Sequence, residues 1–506
     1  MRTHYATIVI GAGSGGMTVA VGLARLGKEV ALIESHAVGG DCTNVGCIPS
    51  KTLIHLADAR ERDSTDSTTI FVEVRGKRDR LRNDETHAVK HTEHLQFVHG
   101  FARFIGPRRL EVMLDTGDRQ ELTADNIVIA TGSRAQTIDI DGLPGDRILT
   151  NENIFELREA PQHLAIVGSG PIAMELAFAL RDLGSHISII TLDDRVFTKA
   201  PVAASTVLHD ALADRGIDVY YRATASNYDQ LSETLTLKTD DGLVQLEDVD
   251  KVLLAIGRRR NIDNLGLEHT GVTFDVKTGI EVDRHGATNI RGIYAVGDVT
   301  PDSHWTHSAD AQGRRVVQRI AFPWLPSFGR DPLYPNATFS DPEVANVGLM
   351  PEEIVKRYHP QLVKTLGFDL PKTDKGYTEG LTRGFVQVYA VRLTGRILGA
   401  TIVGPRASEM ISFFTLAITE RVSLYKLFRL VYPYPTLSGA VQKIADQYVR
   451  ETLPHLPAEV WAYMRFTAAT IWRRGRGGFS VSAPAMEPAQ QSPARTEPQM
   501  ASSPNR

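Results

Sequence analysis

The sequence predicts an α/β fold made of two βαβ units on parallel strands, followed by an α+β domain with an antiparallel sheet. Two stretches predict the βαβ units. "TIVIGAGSGGMTVAVGLARLGKEVALIE" (Thr7 to Glu34) and "HLAIVGSGPIAMELAFALRDLGSHISIIT" (His163 to Thr191) each have the pattern of strand, glycine turn, helix and strand. The third observation is an alternation of apolar residues after Asp331. It occurs in "GFVQVYAV" (Gly384 to Val391) and "RILGATIVG" (Arg396 to Gly404) and is typical of antiparallel strands.

Composition narrows the classes of function. The chain has 506 residues and a formal net charge of -4, which gives no reason to expect a nucleic-acid partner. Two cysteines cannot form the disulfide framework of a secreted scaffold. The N-terminus enters an apolar strand without the pattern of a signal peptide, and no stretch approaches the run of about 18 apolar residues that spans a bilayer. We therefore expect a soluble cytoplasmic protein.

The first glycine turn has the features of a dinucleotide site. Gly11, Gly13 and Gly16 follow a strand and open a helix, and Glu34 ends the next strand. Such glycines permit a tight turn and bring backbone amides close to a pyrophosphate, and an acid at the strand end can accept hydrogen bonds from ribose hydroxyls. A tight turn without a ligand would explain fewer of these features. The pattern therefore predicts a Rossmann-like dinucleotide-binding domain.

The second copy of the turn predicts a second dinucleotide site with a different ribose environment. Gly168 and Gly170 match the motif, Ala173 takes the place of its third glycine, and Thr191 stands where the first copy has its acid. Two aspartates follow closely, and Arg195 is the one base nearby in the sequence. An NADP site commonly offers cations to the 2′-phosphate. The pattern favours NADH.

The two cysteines lie five positions apart in "GGDCTNVGCIPSK", and three interpretations are open. Cys42 and Cys47 could be buried small residues, a pair of metal ligands or a redox disulfide. On a regular helix their Cα atoms would be about 8.6 Å apart, whereas a disulfide needs about 4.4–6.8 Å. A bridge therefore requires a helix that is distorted or that begins after Cys42, and Asn44 and Gly46 tolerate such a backbone. Because Pro49 suits the first turn of a helix that would lower the pKa of a nearby thiol, we predict redox use.

The motifs taken together resemble the class I pyridine nucleotide–disulfide oxidoreductases, the FAD-dependent family of dihydrolipoamide dehydrogenase, glutathione reductase and mercuric reductase. The resemblance covers roughly Thr7 to Val449, with the motifs in the family's order. Besides the first glycine turn and the cysteine stretch, the motifs are "IVIATGS" (Ile127 to Ser133), "LAIGRRRN" (Leu254 to Asn261), "GIYAVGDVT" (Gly292 to Thr300) and "FSDPEVANVGL" (Phe339 to Leu349).

The resemblance implies an FAD-binding domain in two parts, an NAD(P)-binding domain and an α+β domain that forms a homodimer. The implied boundaries are 1–150 and 276–330 for FAD, 151–275 for NAD(P), 331–452 for dimerisation, 453–474 for an extra helix and 475–506 for a disordered tail. The residues that it implies to bind FAD or NAD(P)H are Gly11, Gly13, Ser14, Gly16, Glu34, Gly40, Asp41, Lys51, Ala130, Thr131, Gly132, Gly168, Gly170, Ile172, Ala173, Thr191, Gly257, Asp298, Thr306 and His307.

The resemblance also implies a division of labour at the thiols. Electrons would pass from NAD(P)H through FAD to the disulfide of Cys42 and Cys47. Cys47 would lie next to the flavin as a thiolate, and Cys42 would be the outer thiol that attacks the substrate. Lys51 would lie near the flavin N5, and Glu175 would pair with Lys51. No resident metal ion is expected.

The chain departs from the disulfide-reducing members of the family near its C-terminus. Those members carry a His-Pro-Thr segment ending in Glu, whose histidine is the acid–base partner of the outer thiol across the dimer. Here "YPYPTLSG" (Tyr432 to Gly439) has Tyr434 at the histidine position and Gly439 at the glutamate position. A tyrosine with a pKa near 10 is a poor base at neutral pH. Tyrosine at this place is similar to mercuric reductase, although no cysteine follows Cys47 to form the C-terminal pair of that enzyme.

Three functions follow from these observations. The leading prediction is an NAD(P)H-dependent flavin disulfide reductase that passes electrons to a disulfide or to a soft metal ion such as Hg(II). The first alternative is dihydrolipoamide dehydrogenase. The second is a flavoprotein of low turnover with a binding or membrane-associated role, in which the segment 457–474 contacts a membrane surface. A helix packed on the protein's own dimer is the competing interpretation of that segment.

Overall fold

The structure is a computed structural model of the chain that describes residues 2–63, 66–301, 305–325 and 332–474. The chain divides into two compact units. The first unit comprises Met1–Asn346 and Val403–Thr415, and the second comprises Val347–Ile402 and Leu416–Arg506. The tail that the sequence predicts to be disordered, 475–506, lies outside the described residues.

The first unit contains both glycine turns and both cysteines. Up to residue 150 its elements are β1 (His4–Ile10), α1 (Ser14–Arg25), β2 (Val30–Glu34), α2 (Gly40–Asn44), α3 (Cys47–Asp63), α4 (Ser67–Lys90), β3 (Leu95–Gly106), β4 (Arg109–Leu114), β5 (Arg119–Ile129), β6 (Ser133–Ala135) and β7 (Ile148–Leu149). Then follow β8 (His163–Val167), α5 (Pro171–Asp182), β9 (His186–Ile190), α6 (Val202–Asp214), β10 (Asp218–Tyr220), β11 (Thr224–Asp229), β12 (Thr234–Thr239), β13 (Gly242–Leu246), β14 (Lys251–Leu254), β15 (Arg258–Arg260), β16 (Phe274–Asp275), β17 (Gly279–Ile280), β18 (Ile293–Ala295), α7 (Thr306–Ala321) and β19 (Asn336–Thr338).

The first sheet places the first glycine turn at its carboxyl edge. Its order is β1-β2-β3-β4-β5-β18, with an additional pairing between β1 and β5. Val9 of β1 lies opposite Leu32 of β2 and Val128 of β5, both in parallel register. Because parallel strands end at the same edge, the residues that follow β1, β2 and β5 converge there.

The second sheet repeats this arrangement around the second glycine turn. Its order is β10-β9-β8-β14-β7, and Val167 at the end of β8 lies opposite Ile190 of β9 and Leu254 of β14. A separate antiparallel sheet, β11-β12-β13, shares an apolar core with it, in which Leu235 and Ala165 are fully buried. The sequence pattern of two βαβ units is confirmed.

The segment between α3 and β3 is strongly charged in sequence. The structure has one helix there, α4. Ile70, Phe71 and Val74 are buried on one face of it. Their spacing is helical, so an apolar face holds the segment against neighbouring elements despite its many charges.

The remaining elements include those of the second unit and form an α+β arrangement. They are β20 (Val344–Gly348), α8 (Pro351–Arg357), β21 (Val363–Asp369), α9 (Asp374–Thr378), β22 (Phe385–Val391), β23 (Ile397–Val403), α10 (Ala407–Thr419), α11 (Leu424–Phe428), α12 (Gly439–Thr452) and α13 (Leu456–Arg474). Strands β21 and β22 pair in antiparallel register, with Leu366 opposite Val388. The two stretches with alternating apolar residues form β22 and β23, as predicted.

Helix α13 packs on its own unit through one face. The rings of Phe466 and His359 stack with centroids 4.6 Å apart, and the buried Glu459 carboxylate lies 2.9 Å from Lys364 and 2.8 Å from Arg392. The opposite face is exposed and includes Trp461, as well as Met464 and Ile471. No helix within the described residues is long and apolar enough to cross a membrane.

Candidate active site

The first glycine turn contacts the segment that carries the cysteines. Gly13 forms a bridge with Gly39, and a Cβ on Gly40 would come within 2.7 Å of the Gly13 Cα atom. Two glycines facing each other therefore allow a backbone approach that side chains would prevent. The result is that the thiol-bearing turn lies directly on the turn that opens α1.

Glu34 lies at the same sheet edge, with its carboxylate fixed by backbone amides. Its Oε2 accepts the N–H of Ala12 at 2.6 Å, and its Oε1 accepts the N–H of His36 at 2.8 Å. A carboxylate oxygen has more than one lone pair, so these bonds leave capacity for ribose hydroxyls. They also fix the direction in which the carboxylate points.

The helix that carries the thiols is interrupted between them. Cys42 lies in α2, which ends at Val45 with φ -140°, and Cys47 is the first residue of α3. A Cβ on Gly46 would come within 2.7 Å of the Asp41 carbonyl oxygen, so the reversal requires glycine. Asn44 donates from Nδ2 to the carbonyls of Val38 and Gly40 and fastens the turn from inside. The sequence prediction that no regular helix joins the cysteines agrees with this geometry.

The two thiols are free in this structure, and their pKa values shift in opposite directions. The hydrogen bond donated by Cys42 lowers the pKa of Cys47 to about 6, burial opposes this shift, and Lys51 and Thr306 support it. The same hydrogen bond, followed by burial, raises the pKa of Cys42 well above its ordinary value. The Thr306 hydroxyl lies 3.6 Å from the Cys47 sulfur. These shifts favour the thiolate form at Cys47 and the protonated form at Cys42.

Lys51 and Glu175 lie together although 124 positions separate them. The Lys51 ammonium lies 2.7 Å from Glu175 Oε2, and Glu175 Oε1 accepts the backbone N–H of Phe339 at 3.1 Å. The ammonium also lies 4.7 Å from the centroid of the Phe339 ring. The buried Glu175 thus holds Lys51 one helical turn from Cys47.

A cavity of about 880 Å³ joins these groups. The predicted dinucleotide-contact residues that line it are Gly11, Gly13, Ser14, Gly16, Glu34, Gly40, Asp41, Lys51, Ala130, Thr131, Gly132, Ile172, Asp298 and Thr306. Cys42, Cys47 and Glu175 line it as well. At Gly132 a Cβ would meet no protein atom within 4 Å, so the backbone there is open to a ligand. The residues present therefore fit a dinucleotide that extends from the glycine turn to the thiols.

Apart from Ile172, the residues predicted around the second glycine turn lie at the edge of the second sheet and outside this cavity. Gly168 follows β8, Gly170 caps α5, and Gly257 lies beyond β14. A Cβ on Gly170 would meet no protein atom within 4 Å. Ala173 is fully buried, and the buried Thr191 hydroxyl lies 3.0 Å from that of Ser169. This turn therefore has an open backbone at Gly170 and a threonine that is already hydrogen-bonded.

Two further predicted site residues, His307 and Tyr434, are not among the residues that line the cavity. His307 Nε2 lies 2.7 Å from the carbonyl oxygen of Pro335, and its ring is not part of the lining. Tyr434 belongs to the second unit, and 80% of its surface is exposed.

Sequence reasoning missed a polar network around Asp41. The Arg258 guanidinium contacts the Asp41 carboxylate, donates to Ser133 Oγ at 2.7 Å and lies 3.7 Å from Asp298. Asn151 donates to the Val45 carbonyl at 3.3 Å. Arg258 stands in "LAIGRRRN", 217 positions from Asp41, and no spacing rule links such distant residues.

Comparison with protein families supplies the identification. The model of the pyridine nucleotide-disulphide oxidoreductases matches residues 5–314, and the model of their dimerisation domain matches residues 334–445. The chain belongs to this family. Membership establishes an oxidoreductase that depends on FAD, takes electrons from NAD(P)H and forms a homodimer.

Individual members of the family are similar over nearly their whole length. The dihydrolipoyl dehydrogenase of Corynebacterium glutamicum is 32% identical over 469 residues, which cover 88% of this chain and 98% of that one. The enzyme of the same name from Bacillus subtilis is 30% identical, with coverages of 88% and 98%.

Solved structures of the family have the same fold. The Cu(II) complex of RclA, an HOCl-induced flavoprotein disulfide reductase from Escherichia coli, superposes with a TM-score of 0.80 at 25% identity and covers 88% of this chain and all of that one. LpdA from Mycobacterium tuberculosis superposes with a TM-score of 0.79 at 26% identity, covering 87% of this chain and 99% of that one. The predicted fold class is confirmed.

Proposed function

We propose that this flavoprotein disulfide oxidoreductase passes electrons from NAD(P)H through Cys42 and Cys47 to a thiophilic metal ion. The observation that carries the proposal is the C-terminal motif, in which Tyr434 and Gly439 replace the histidine and glutamate of the disulfide-reducing members. A disulfide substrate needs a proton for its departing thiol, whereas a metal ion held by thiolates does not. The Cu(II) complex of the related RclA supports this class of acceptor.

In this proposal the residues around the cavity have separate roles. The first glycine turn and Glu34 would hold FAD, which would supply hydride acceptance from NAD(P)H and two-electron transfer to the cysteine pair. Cys47 stays deprotonated beside Lys51, and Glu175 keeps that lysine in place. Cys42 loses its proton when it binds the acceptor. Because each turnover carries two electrons, one Hg(II) or two Cu(II) ions would be reduced.

A panel of acceptors tests this function. NADH and NADPH would each be supplied with lipoamide, glutathione disulfide, dithiol-buffered Hg(II) and Cu(II), and turnover would be compared with the rate of flavin reduction in a stopped-flow instrument. We expect metal turnover to approach the flavin-reduction rate and disulfide turnover to fall far below it. If lipoamide is reduced as fast as the flavin, dihydrolipoamide dehydrogenase replaces this proposal.

Restoring the acid–base dyad tests the role of Tyr434. The double change Tyr434→His with Gly439→Glu should raise disulfide turnover by up to about 10²–10⁴-fold, the range of general acid–base effects. Flavin reduction by NADH should change little. Tyr377→His is the matched control, since Tyr377 is an equally exposed tyrosine of the second unit. An unchanged disulfide rate in the double variant would contradict the role assigned to Tyr434.

A second proposal concerns the exposed face of α13, which we infer contacts an anionic lipid surface. Trp461, Met464 and Ile471 expose 56%, 60% and 66% of their surfaces. The guanidinium of Arg465 lies 4.9 Å from the centroid of the Trp461 indole. Aromatic and aliphatic side chains beside a cation are typical of helices that lie in a membrane interface.

Flotation with lipid vesicles tests this contact. The purified dimer should float with vesicles that contain phosphatidylglycerol, and it should stay in solution with phosphatidylcholine vesicles or at high salt, because salt screens the charges. The change Trp461→Ser with Ile471→Ser should remove flotation. Leu231→Ser, at another exposed apolar residue, is the control. Equal flotation of both variants would contradict the proposal.

A further inference from the structure

Arg258 connects the thiol-bearing turn to two other segments of the first unit. Its guanidinium contacts the Asp41 carboxylate and donates to the Ser133 hydroxyl at 2.7 Å and to the Ser133 carbonyl at 2.8 Å. Its Nε lies 3.7 Å from the Asp298 carboxylate, which also accepts the Ser133 hydroxyl at 2.7 Å. One cation therefore faces two carboxylates, and Ser133 connects them. Asp41 is the residue directly before Cys42.

Asn151 holds the same turn at its other end. Its Nδ2 donates to the carbonyl of Val45 at 3.3 Å, and its Oδ1 lies 3.5 Å from Arg258 Nη1. Asn151 is buried. Val45 is the residue where α2 ends and the chain turns toward Cys47. The segment between the thiols is therefore attached at both ends to residues that lie more than 100 positions away along the chain.

We propose that Arg258 and Asn151 are positioning residues that keep the Cys42 thiol against Cys47 when the disulfide is open. Neither side chain is a reacting group. They act by holding Asp41 and Val45, the residues that flank the Cys42 turn. The inference rests on the redox use of the two thiols and is independent of which acceptor they reduce.

Loss of Arg258 should raise the pKa of Cys47 for two reasons. A turn released at Asp41 would weaken the hydrogen bond from Cys42, which is the largest cause of the lowered pKa of Cys47. Asp41, the residue before Cys42, would also lose its counter-charge, and nearby negative charge disfavours a thiolate. Loss of Asn151 removes no charge. An Asn151 variant therefore shows the effect of releasing the turn at Val45 without any change in charge.

Four other side chains influence the ionisation of Cys47. They are Cys42 of α2, Lys51 on its own helix, Thr306 of α7 and Glu175 of α5. None of them contacts Arg258 by a hydrogen bond or an ion pair within the described residues. A change in the titration of Cys47 on removal of Arg258 would therefore report the held turn and its charges.

The experiment measures the midpoint pH of Cys47 ionisation in the reduced holoenzyme. Rapid labelling with iodoacetamide followed by mass spectrometry gives the midpoint without use of the flavin signal, and long-wavelength absorption of the thiolate beside FAD gives it independently. The variants are Arg258→Met and Asn151→Ala. Arg259→Met is the matched control, because Arg259 is an exposed neighbour that pairs with Asp263 at 3.3 Å.

We expect Arg258→Met to raise the midpoint by about one pH unit or more, a tenfold change in the equilibrium. Asn151→Ala should raise it by a smaller amount, and Arg259→Met should leave it unchanged. Unchanged midpoints in both Arg258→Met and Asn151→Ala would overturn the inference. If Arg258→Met does not fold, the Asn151→Ala result decides alone. Failure of the proposed redox function is a separate result, recognised by full turnover in Cys47→Ser.

Discussion

The two glycine turns follow the same sequence pattern, but they differ in how closely the helix approaches the strand. In the first turn a Cβ on Gly16 would overlap the carbonyl oxygen of Gly11. In the second turn the corresponding residue, Ala173, is accommodated and fully buried. The first turn also lies against Gly40 and the thiols, whereas the second opens at Gly170 with no protein atom near it.

The strand ends that complete the two turns differ as well. Glu34 offers a carboxylate fixed by two backbone amides, whereas the Thr191 hydroxyl is engaged with Ser169. The same βαβ pattern therefore forms a tight first turn that adjoins the cysteine-bearing segment and a looser second turn. The family motif predicts that both turns bind dinucleotides, and the side chains around each turn decide what it can bind.

Exchanging Gly16 and Ala173, the third small residues of the two glycine motifs, should have the largest effect on cofactor binding. Gly16→Ala forces a methyl group into backbone, and such overpacking costs about 1–3 kcal/mol or more. We expect the purified variant to lose most of its flavin, measured as absorbance at long wavelength per protein, and to melt at lower temperature. Ala173→Gly is the reciprocal control and should keep its flavin, with a helix cost of about 1 kcal/mol. Full flavin content in Gly16→Ala would contradict the conclusion that the first turn requires glycine at this position.

Nucleotide preference should show the next largest effect, because it depends on the second strand end. Arg195 donates to the carbonyls of Thr198 and Ala200, and Asp193 and Asp194 are exposed beside it. These groups offer no free cation to a 2′-phosphate, so NADH should reduce the flavin at least about tenfold faster than NADPH. Asp194→Arg should narrow that difference, and Asp118→Arg, at an exposed aspartate between β4 and β5, should leave it unchanged. A tenfold preference of the wild type for NADPH would reverse the assignment.

The pH dependence of the thiol beside the first turn should show the smallest effect of the three. Cys47 is ionised above a pKa of about 6 and gains its proton as the pH falls through that value. In Lys51→Met the cation is lost and the buried Glu175 remains, so the pKa of Cys47 should rise by roughly half to one unit. Iodoacetamide labelling at graded pH measures this midpoint, with Lys77→Met as the control. A midpoint that stays near pH 6 would show that Cys42 alone sets it.

Local rules of the sequence determined the elements that carry the site. The strands and glycine turns at Gly11 and Gly168 follow from apolar runs and from backbone geometry that few residues can adopt. The break between Cys42 and Cys47 likewise follows from Gly46, because the constraint acts within a few residues. The departure at Tyr434 is visible in the sequence alone once the family motif is aligned with it. These features depend on neighbours along the chain.

Tertiary structure alone decided which distant side chains meet at the thiols. The hydrogen bond between Lys51 and Glu175 spans 124 positions, and the contact between Arg258 and Asp41 spans 217. The packing of α4 was also decided this way, since Ile70, Phe71 and Val74 are buried although the helix is highly charged. Such contacts depend on the order of strands in two sheets and on how helices pack on them. The spacing of residues along the chain does not predict the order of strands in a sheet, because a sheet brings together the ends of strands wherever they occur in the sequence.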